Sequence, residues 1–571
     1  MDDRIFEGLN PEQRRAAESL RGPVCILAGA GSGKTTTITR RIAHQVASGA
    51  VEAGAILAVT VTDKAAGEMR DRLGALGVER VSARTFHSAA LAQLHNLAAD
   101  APGRILPSKA VALRQIGNSL PRPYKFRPAG DLATEIEWAK NRRLTPDGYL
   151  DAVGGHAPPI PPDLMQRVFA RYEAGKRKRE LVDFEDILEL TIRMYEQDEY
   201  ALERFTARYQ AFTVDEYQDV NLLQQSLLEC WLAGRDDVCV VGDDYQSIYG
   251  FTGASPEYLL GFPARFAHAK VVKLETNYRS TPEVLELANR LVPRLGGRAK
   301  VLRAAHPTGP RPEVRPFAST ESECEFLVDR IKKLNAEHGV AFEDMAILYR
   351  ANFRSEDYEE ALAAAHVPFQ VRGGNFLSRP GARRALGHLG GRRATDVAAR
   401  VRVAALKEGW LEGEEVDSIA LGEQETTRQN DLARLVRLAD EFDDGVGTAG
   451  QFLDDLRERF TSEGGGRGVN LLTLHRAKGL EFEAVFLVRL EEGELPFKRA
   501  KSDEAVTEER RLLYVGLTRA KRHLFLTRVA GSSKPSRFLA ELGVGPRAGR
   551  GPAAPRGASS SAPPPDDPTM A

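Results

Sequence analysis

The sequence predicts an α/β protein built from two units with parallel sheets, each carrying a mainly helical insertion. At 571 residues the chain is longer than a single hydrophobic core usually serves. Short apolar runs alternate with helical segments in two separate stretches, which is the pattern of parallel sheets. Within each stretch a segment without strand-like runs interrupts the alternation, and these interruptions predict the two insertions.

The first strand and the loop after it predict a nucleotide site. An apolar run at 24–28 stops at small residues and meets Lys34 and Thr35 at the start of a helix. Glycines let backbone N–H groups converge on a phosphate, Lys34 can reach the β- and γ-phosphates, and Thr35 can ligate Mg²⁺. Ala28 replaces the first glycine of the usual pattern, so a glycine turn that happens to precede a lysine remains the alternative. The predicted nucleotide-binding loop comprises Ala28, Gly29, Ala30, Gly31, Ser32, Gly33, Lys34, Thr35 and Thr36.

The rest of the first unit follows the same alternation. Its further strands are predicted at 55–61, 81–87, 211–217, 238–242 and 271–275. The unit therefore spans 1–104 and 200–280, with helical segments filling 105–199 as the first insertion. The densest basic run of this insertion, Lys176-Arg-Lys-Arg179, fits either a solvated helix face or a phosphate-contacting patch.

A second set of strand-like runs predicts the second sheet. Its strands are expected near 313–316, 345–350, 369–372, 469–473, 484–490 and 523–527. The unit spans 281–380 and 451–544 and encloses a reduced, charged helical insertion at 381–450. The stretch 545–571 is rich in Pro, Gly, Ala and Ser and predicts a disordered tail.

Composition narrows the class of protein. Lys and Arg number 79 against 80 Asp and Glu, so a nucleic acid would have to be held by a local basic groove rather than by the overall charge. The four cysteines lack C-x-x-C spacing, which argues against a zinc site and suits a reducing cytoplasm. No apolar run reaches eighteen residues, so a membrane-spanning protein is not expected.

A pair of acids follows the predicted strand at 211–217. Asp215 can hold Mg²⁺ through water, and Glu216 can orient and deprotonate an attacking water. The alternative is a strand that simply ends in charged residues. Gln218 and Asp219 exceed what Mg²⁺ requires, and they suggest coupling to another element of the protein.

Two further groups of residues suggest phosphate sensing and base stacking. After the strand at 238–242, Gln246 could sense a γ-phosphate, while Tyr249 and Phe251 could either stack on bases or belong to the local core.

Arg279 and Arg519 each stand beside small polar residues. Each is either a surface charge or an arginine finger that reaches developing phosphoryl charge.

Ten ordered motifs then identify a family. They are LNPEQ, AGAGSGKT, VTDKAAGEM, TFHS, DFEDIL, VDEYQDVNLLQ, VVGDDYQSIYGFTGA, NYRST, TLHRAKGLEF and EERRLLYVGLTRA. The set covers nearly the whole chain to about Leu542 and resembles the UvrD/PcrA/Rep group of superfamily 1A DNA helicases. Wider stretches look most like the actinobacterial UvrD-like helicases whose longer members carry an HRDC domain, which is not expected here.

The resemblance implies two RecA-like domains with ATP and Mg²⁺ between them. Gln13 would read the adenine edge, Tyr278 would stack on the adenine ring, and Glu481 would lie near the ribose. Thr35 and Asp215 would form the metal site. The implied catalytic residues are Lys34, Asp215, Glu216, Gln246, Arg279 and Arg519.

The resemblance also implies a path for single-stranded DNA. The matching positions are Val61, Thr85, His87, Tyr249, Phe251, Asn352, Thr473 and His475. Val61 and Phe251 replace the family's usual Phe and Trp, and Asp63 and Thr252 replace its usual Asn and Arg. We therefore expect weaker base stacking, by roughly 1 to 3 kcal/mol per lost aromatic platform.

The function implied is an ATP-dependent helicase that moves 3′ to 5′ on single-stranded DNA and unwinds duplexes, in DNA repair or replication. The alternative is a translocase that displaces proteins but unwinds poorly. The expected partners are single-stranded DNA, junctions of single- and double-stranded DNA, and repair or replication proteins. A cytoplasmic, nucleoid-associated monomer or weak dimer is expected, without a membrane partner.

Overall fold

The computed structural model describes residues 2–98, 103–121, 124, 128–371, 376–411, 423–460, 467–530 and 534–544. The predicted tail at 545–571 lies outside the described residues. Two six-stranded parallel sheets form the framework, which confirms the predicted α/β class. Among the described helices, none has the length and apolar character needed to cross a membrane.

The first sheet is built from short strands, of which the four inner ones are wholly buried. Its strands are β1 (Val24–Ala28), β2 (Ile56–Thr60), β3 (Ser82–Thr85), β4 (Ala211–Val214), β5 (Val238–Gly242) and β6 (Lys270–Leu274). They lie in the order β3-β2-β4-β5-β1-β6, and every neighbouring pair is parallel. Apolar side chains cover both faces of the inner strands, as a sheet with helices on both sides requires.

Nine helices belong to the first unit in the described part of the chain. They are Asp2–Phe6, Pro11–Ala17, Lys34–Ala47, Asp63–Ala75, Phe86–Leu97, Phe184–Gln197, Glu199–Arg208, Leu222–Leu232 and Glu257–Arg265. Asn10 caps the second of these, with Pro11 at its first position. The helix Phe184–Gln197 falls within the range expected for the insertion, but its Ile187, Leu188 and Ile192 pack in the core of the first sheet.

The first insertion has a hydrophobic core of its own, which includes Trp138 and Phe169. Its described helices are Lys109–Gly117, Ala129–Asn141, Tyr149–Ala152 and Pro162–Lys178. A two-stranded parallel pair, Arg104–Ile105 with Leu181–Val182, closes its base. Lys176 matches neither interpretation of the basic run, because it is buried and paired with Asp183 and Asp186.

The second sheet repeats the parallel design. Its strands are β7 (Glu313–Phe317), β8 (Met345–Tyr349), β9 (Phe369–Val371), β10 (Val469–Thr473), β11 (Phe482–Leu487) and β12 (Ala520–Val529). They lie in the order β7-β12-β11-β8-β10-β9. The described helices around this sheet are Pro282–Asn289, Val292–Leu295, Thr320–His338, Ser355–Ala364, Asp503–Leu517 and Arg537–Glu541. The short parallel pair Thr276–Asn277 with Arg303–Ala304 lies where the chain passes from the first unit to the second.

The second insertion consists of helices packed around a separate core. Its described helices are Pro380–Gly387, Val397–Lys407, Glu423–Phe442 and Ala449–Phe460. The expected boundary at residue 450 falls inside the last helix, whose Phe452 and Leu456 are buried in this core. The helical unit therefore extends beyond the predicted range.

A buried ionic network joins the second insertion to the helix Ser355–Ala364 of the second unit. The guanidinium of Arg379 lies 3.1 Å from Glu356 and 2.8 Å from Asp431. Arg434 lies 3.2 Å from Glu356 and 2.8 Å from Glu360. Removing one partner of a buried ion pair leaves an uncompensated charge, so this network fixes the insertion against the second unit.

Candidate functional site

The phosphate loop lies at the carboxyl end of β1, immediately before the helix Lys34–Ala47. Gly31 has φ +64° and Gly33 has φ +77°, in the left-handed region that favours glycine. A Cβ atom at Gly31 would lie 2.6 Å from Nδ2 of Asn277, and one at Gly33 would lie 2.7 Å from Nε2 of Gln13. Both positions therefore require glycine, for space as well as for conformation.

Two amide side chains hold the loop from outside. Nε2 of Gln13 donates to the carbonyl of Ser32 at 2.9 Å, and Nδ2 of Asn277 donates to the carbonyl of Ala30 at 2.7 Å. The buried hydroxyl of Ser32 has no hydrogen-bond partner in the described part of the chain. A buried polar atom without a partner is costly, so the loop fits an anionic ligand that would supply one.

The acid pair follows β4 directly. Glu216 has φ 52°, and its Oε1 accepts a hydrogen bond from Nζ of Lys34 at 2.8 Å. Burial raises the pKa of Glu216, but the charges of Lys34 and Lys478 outweigh burial and bring this pKa down to about 2. Burial and the charge of Glu216 raise the pKa of Asp215 to about 7. Lys34 thus faces two carboxyl groups at the mouth of the phosphate loop, an arrangement that suits a divalent cation and a phosphate.

The coupling suggested by Gln218 and Asp219 is present in the structure. Nε2 of Gln218 donates to Glu216 at 2.5 Å and to Asp219 at 3.2 Å. The ammonium of Lys478, from the second unit, donates to Oδ2 of Asp219 at 2.5 Å and to the carbonyl of Gln246 at 2.6 Å. The acid pair is therefore linked to the second unit through three consecutive contacts.

Gln246 and Arg519 meet across the same boundary. The guanidinium of Arg519 donates to Oε1 of Gln246 at 3.2 Å and to the carbonyl of Leu480 at 3.1 Å. Arg519 is only 1% exposed, so it is not a surface charge. Burial and the positive charge of Arg279 lower its pKa to about 9.

Arg279 and Tyr278 come from the segment that leaves the first sheet. Nε of Arg279 donates to Glu481 at 2.7 Å, and its guanidinium also donates to the carbonyl of Thr518 at 3.2 Å. The backbone N–H of Tyr278 donates to the carbonyl of Gly31 at 2.8 Å, so this exposed ring lies beside the phosphate loop. Burial raises the pKa of Glu481, but Arg279 outweighs it and the net pKa is lowered.

The residues expected on the DNA path lie at the carboxyl ends of the strands. Val61 follows β2 and Thr85 ends β3, while Asn352 follows β8 and Thr473 ends β10. Because these are neighbouring parallel strands in each sheet, each pair shares one edge. Thr85 caps the helix Phe86–Leu97 and is buried, as is Thr473, whereas Val61 is 43% exposed.

A group of aromatic side chains joins the two units near this edge. The ammonium of Lys478 lies 4.9 Å from the ring centroid of Tyr249. The Phe251 ring contacts Tyr249 at 6.1 Å and His475 at 5.8 Å between centroids. Phe251 is 47% exposed, so about half of this side chain is accessible for contact with a base.

The imidazoles on the predicted DNA path are uncharged near neutral pH. Burial and the charge of Lys109 lower the pKa of His87 to about 4. Burial, with Arg350 and Lys478, lowers the pKa of His475 well below its usual value. Neither side chain therefore offers a positive charge to a phosphate.

Comparison with known proteins agrees with this geometry. Residues 9–267 match the family described as the UvrD/REP helicase N-terminal domain. Residues 272–403 and 392–531 match the UvrD-like helicase C-terminal domain. The chain belongs to the UvrD/REP helicase family. As a member of this family it is an ATP-dependent DNA helicase, which confirms the resemblance predicted from the ten motifs.

Relatives within the UvrD/REP family align along nearly the whole chain. ATP-dependent DNA helicase UvrD2 of Mycobacterium tuberculosis (strain ATCC 25618 / H37Rv) is 42% identical over 581 residues, covering 94% of this chain and 82% of the relative. ATP-dependent DNA helicase PcrA of Leuconostoc citreum is 30% identical, covering 94% of this chain and 85% of the relative. ATP-dependent DNA helicase PcrA of Bacillus subtilis (strain 168) is 29% identical, covering 95% of this chain and 86% of the relative.

Three residues of this helicase site make contacts that the sequence does not predict. Asn277 and Lys478 lie inside motifs that point to the UvrD/REP family, but no local pattern assigns them a role. Phe184 stands in the motif DFEDIL without an expected contact, yet its exposed ring meets His87 edge-on at 5.7 Å. In each case the signal is a contact between distant segments, which spacing along one segment does not reveal.

Proposed function

We propose that this helicase moves 3′ to 5′ on single-stranded DNA and unwinds duplexes, with ATP hydrolysed between the two sheets. The direction rests on the likeness to the UvrD/PcrA/Rep group. The observation that best supports coupling is the position of Lys478. It contacts Asp219 beside the acid pair and lies over the ring of Tyr249 on the proposed DNA path.

The residues of the phosphate loop would bind the nucleotide. Lys34 would bind the β- and γ-phosphates in place of Glu216, while Thr35 and Asp215 would hold Mg²⁺. A bound Mg²⁺ would neutralise phosphate charge and orient the phosphates. Gln13 and Tyr278 would bind the adenine, and Glu481 the ribose.

Hydrolysis requires a base for the attacking water and positively charged side chains near the transferred phosphoryl group. Glu216 would take the proton of the attacking water once Lys34 leaves it. Arg279 and Arg519 would stabilise the charge that develops on the phosphoryl oxygens. Arg519 lies across the boundary from the phosphate loop, whereas Arg279 lies beside the loop and contacts Glu481 and Thr518 of the second unit. A closed cleft would therefore favour turnover and an open one release.

The coupling would pass through Gln246 and Lys478. Gln246 would sense the γ-phosphate, and a shift of Gln246 or Asp219 would displace Lys478 from Tyr249. The further DNA contacts would come from Val61, Thr85, His87, Phe251, Asn352, Thr473 and His475. Closing and reopening the cleft would then advance the strand past the aromatic side chains.

The division into units is part of this proposal. The two RecA-like domains would comprise 1–104 with 200–280 and 281–380 with 451–544. The insertions would comprise 105–199 and 381–450. Core packing would move the helix Phe184–Gln197 from the first insertion to the first RecA-like domain, and the whole helix Ala449–Phe460 from the second RecA-like domain to the second insertion. We infer a cytoplasmic, nucleoid-associated monomer or weak dimer that acts with repair or replication proteins at junctions of single- and double-stranded DNA.

The second candidate is a translocase that strips proteins from DNA but unwinds poorly. It is favoured by Val61 and Phe251, which offer smaller stacking surfaces than the family's usual side chains. One experiment separates the two: ATP turnover, unwinding of a 3′-tailed duplex and displacement of a protein block are measured on one preparation. Efficient unwinding supports the helicase, whereas displacement with little unwinding supports the stripping translocase. Equal unwinding of a 5′-tailed duplex would overturn the proposed direction.

A further inference from the structure

A buried ionic cluster lies beside Gln246, at the end of a strand that pairs with β1. Asp243 and Asp244 follow β5 directly, and both are 0% exposed. The ammonium of Lys300, 1% exposed, contacts Oδ1 of Asp244 and lies 3.3 Å from Oδ1 of Asp243. Within the described part of the chain, Lys300 is the one side chain that forms an ion pair with either carboxylate.

Several contacts fix the ammonium of Lys300 in place. It lies 3.9 Å from the ring centroid of Tyr245. The hydroxyl of Tyr245 accepts a hydrogen bond from the backbone N–H of Lys300 at 3.2 Å and donates to the carbonyl of Arg298 at 3.0 Å. The N–H of Arg298 donates to Oδ2 of Asp244 at 3.0 Å. The segment that carries Lys300 is therefore attached to Asp244 and Tyr245 at three points.

The cluster leads directly to Gln246. Oδ2 of Asp243 accepts a hydrogen bond from Nε2 of Gln246 at 2.7 Å. With its nitrogen directed at Asp243, the amide of Gln246 presents its oxygen to Arg519 at 3.2 Å. An ionised Asp243 can only accept hydrogen bonds, so its charge determines which way this amide points.

A buried carboxylate stays ionised only if a partner compensates it. Without Lys300, the two buried acids would lose the one side chain that forms an ion pair with them in the described part of the chain, and repulsion between them would displace one of them. A displaced Asp243 would no longer accept the hydrogen bond from Nε2 of Gln246, and this amide would be free to turn. Arg519 would then lose the oxygen that it contacts.

We propose that Lys300 is a positioning residue for ATP hydrolysis. By neutralising Asp243 and Asp244, it keeps the amide oxygen of Gln246 directed at Arg519. This inference rests on the proposed function of Gln246 and Arg519 at the γ-phosphate. Lys300 itself touches no residue of the phosphate loop among its described contacts. Its effect is therefore on the rate of the chemical step rather than on the binding of ATP.

Lys300→Met, similar in length but uncharged, tests the proposal. We expect DNA-stimulated kcat to fall on the order of 10- to 100-fold, as small displacements of catalytic groups do, with the KM for ATP nearly unchanged. Lys300→Arg keeps the charge and should recover most of the loss. Unchanged kcat in Lys300→Met, or a rise in KM alone, would overturn the proposal.

A double variant distinguishes positioning from a general loss of stability. If Lys300 acts through Gln246, then Lys300→Met with Gln246→Ala should turn over no more slowly than Gln246→Ala alone. Effects that multiply would overturn the proposal. The matched control is Lys176→Met, which removes an equally buried lysine paired with Asp183 and Asp186 in the first insertion. It should lower Tm and leave kcat unchanged.

Two further measurements keep the result decisive. If Lys300→Met does not fold, the double variant Lys300→Met with Asp244→Asn is used. It removes one acid together with the lysine and leaves Asp243 without its cation. This double variant should show the same loss of kcat as expected for Lys300→Met. A wild-type kcat in the double variant would contradict the proposal. Absence of DNA-stimulated turnover in the wild-type protein would instead refute the proposed function, so the two failures are distinguishable.

Discussion

Nζ of Lys34 donates a hydrogen bond to Oε1 of Glu216 at 2.8 Å, although the two residues stand 182 positions apart in the chain. The side chain expected to bind phosphate and the side chain expected to act as base therefore hold each other. In the proposed function, Glu216 would become available as a base only when Lys34 exchanges this carboxylate for another anion. The ion pair would thus link availability of the base to binding of the nucleotide.

The first prediction concerns Lys34→Ala. We expect it to abolish DNA-stimulated ATP turnover while binding of single-stranded DNA largely remains, because Lys34 is not among the residues expected to contact DNA. Turnover and DNA binding are measured on the same preparation. Appreciable residual turnover would refute the role of Lys34.

The second prediction is that Glu216→Gln binds ATP but does not hydrolyse it. The substituted amide keeps the shape of the side chain but cannot act as a base. It also holds Lys34 without a full charge, so ATP should bind more tightly than to the wild type. Equilibrium binding of a fluorescent ATP analogue and turnover together check this. Glu18→Gln, an exposed acid paired with Arg14, is the control and should match the wild type. Normal turnover in Glu216→Gln would contradict the assignment of the base.

The third prediction concerns the two arginines. Arg279→Ala and Arg519→Ala should each slow ATP turnover by roughly a thousandfold or more, as removal of an arginine finger does. Arg519→Ala should also lower Tm, because it leaves the buried Oε1 of Gln246 without this donor. Single-turnover rates on folded protein separate the two effects. Arg303→Ala, an exposed arginine paired with Glu12, serves as control. A near-normal single-turnover rate in either variant would contradict the assignment of that residue as an arginine finger.

The fourth prediction follows from the exposed position of Val61. With 43% of Val61 exposed, a larger ring fits without entering the core of the first sheet. Val61→Phe should tighten binding of single-stranded DNA by on the order of 1 kcal/mol through base stacking. In both proteins, log K should fall with log salt by about 0.7 per phosphate contacted. Titration with labelled single strands across a salt series measures both quantities. Unchanged affinity in a folded variant would remove Val61 from the DNA path.

The fifth prediction concerns the dependence of stability on pH. Burial lowers the pKa of His87 to about 4, below the value of about 6.5 expected in the unfolded chain. Between these two values the unfolded chain binds more protons, so the free energy of unfolding should fall as pH is lowered through this range. His87→Gln cannot titrate and should show a shallower fall. Urea unfolding at a series of pH values tests this, with the exposed histidine in His268→Gln as control. Identical pH profiles for wild type and His87→Gln would contradict it.

The sequence predicted those parts of the structure that local pattern determines. Buried strands such as β1 and β5 are short apolar runs, which identifies the sheet, and the small residues after β1 identify the phosphate loop. Parallel strands then bring their carboxyl ends to one edge, so Lys34 and Glu216 could be expected together. The family motifs indicated the site residues that lie in the second unit, Glu481 and Arg519.

Long-range packing could not be read in the same way. The amphipathic pattern of Phe184–Gln197 predicts a helix but does not tell which core receives its apolar face. Gly450 indicated the end of the second insertion, yet glycine is tolerated in the first turn of the helix Ala449–Phe460, where it stands. Lys300 belongs to no pattern at all, because its partners Asp243 and Asp244 lie on another loop.

The ionic contacts of Arg379 and Arg434 determine how a shortened enzyme would have to be engineered. Replacing the second insertion by a simple linker would remove Arg434 and Asp431. Glu356 would keep its contact with Arg379, whereas Asp357 and Glu360 on the helix Ser355–Ala364 would lose Arg434. That truncated protein would present uncompensated negative charge on a newly uncovered surface, and loss of solubility or activity would say nothing about the insertion itself. A usable truncation therefore needs Asp357→Asn and Glu360→Gln in the same design, with Glu356 kept as the partner of Arg379.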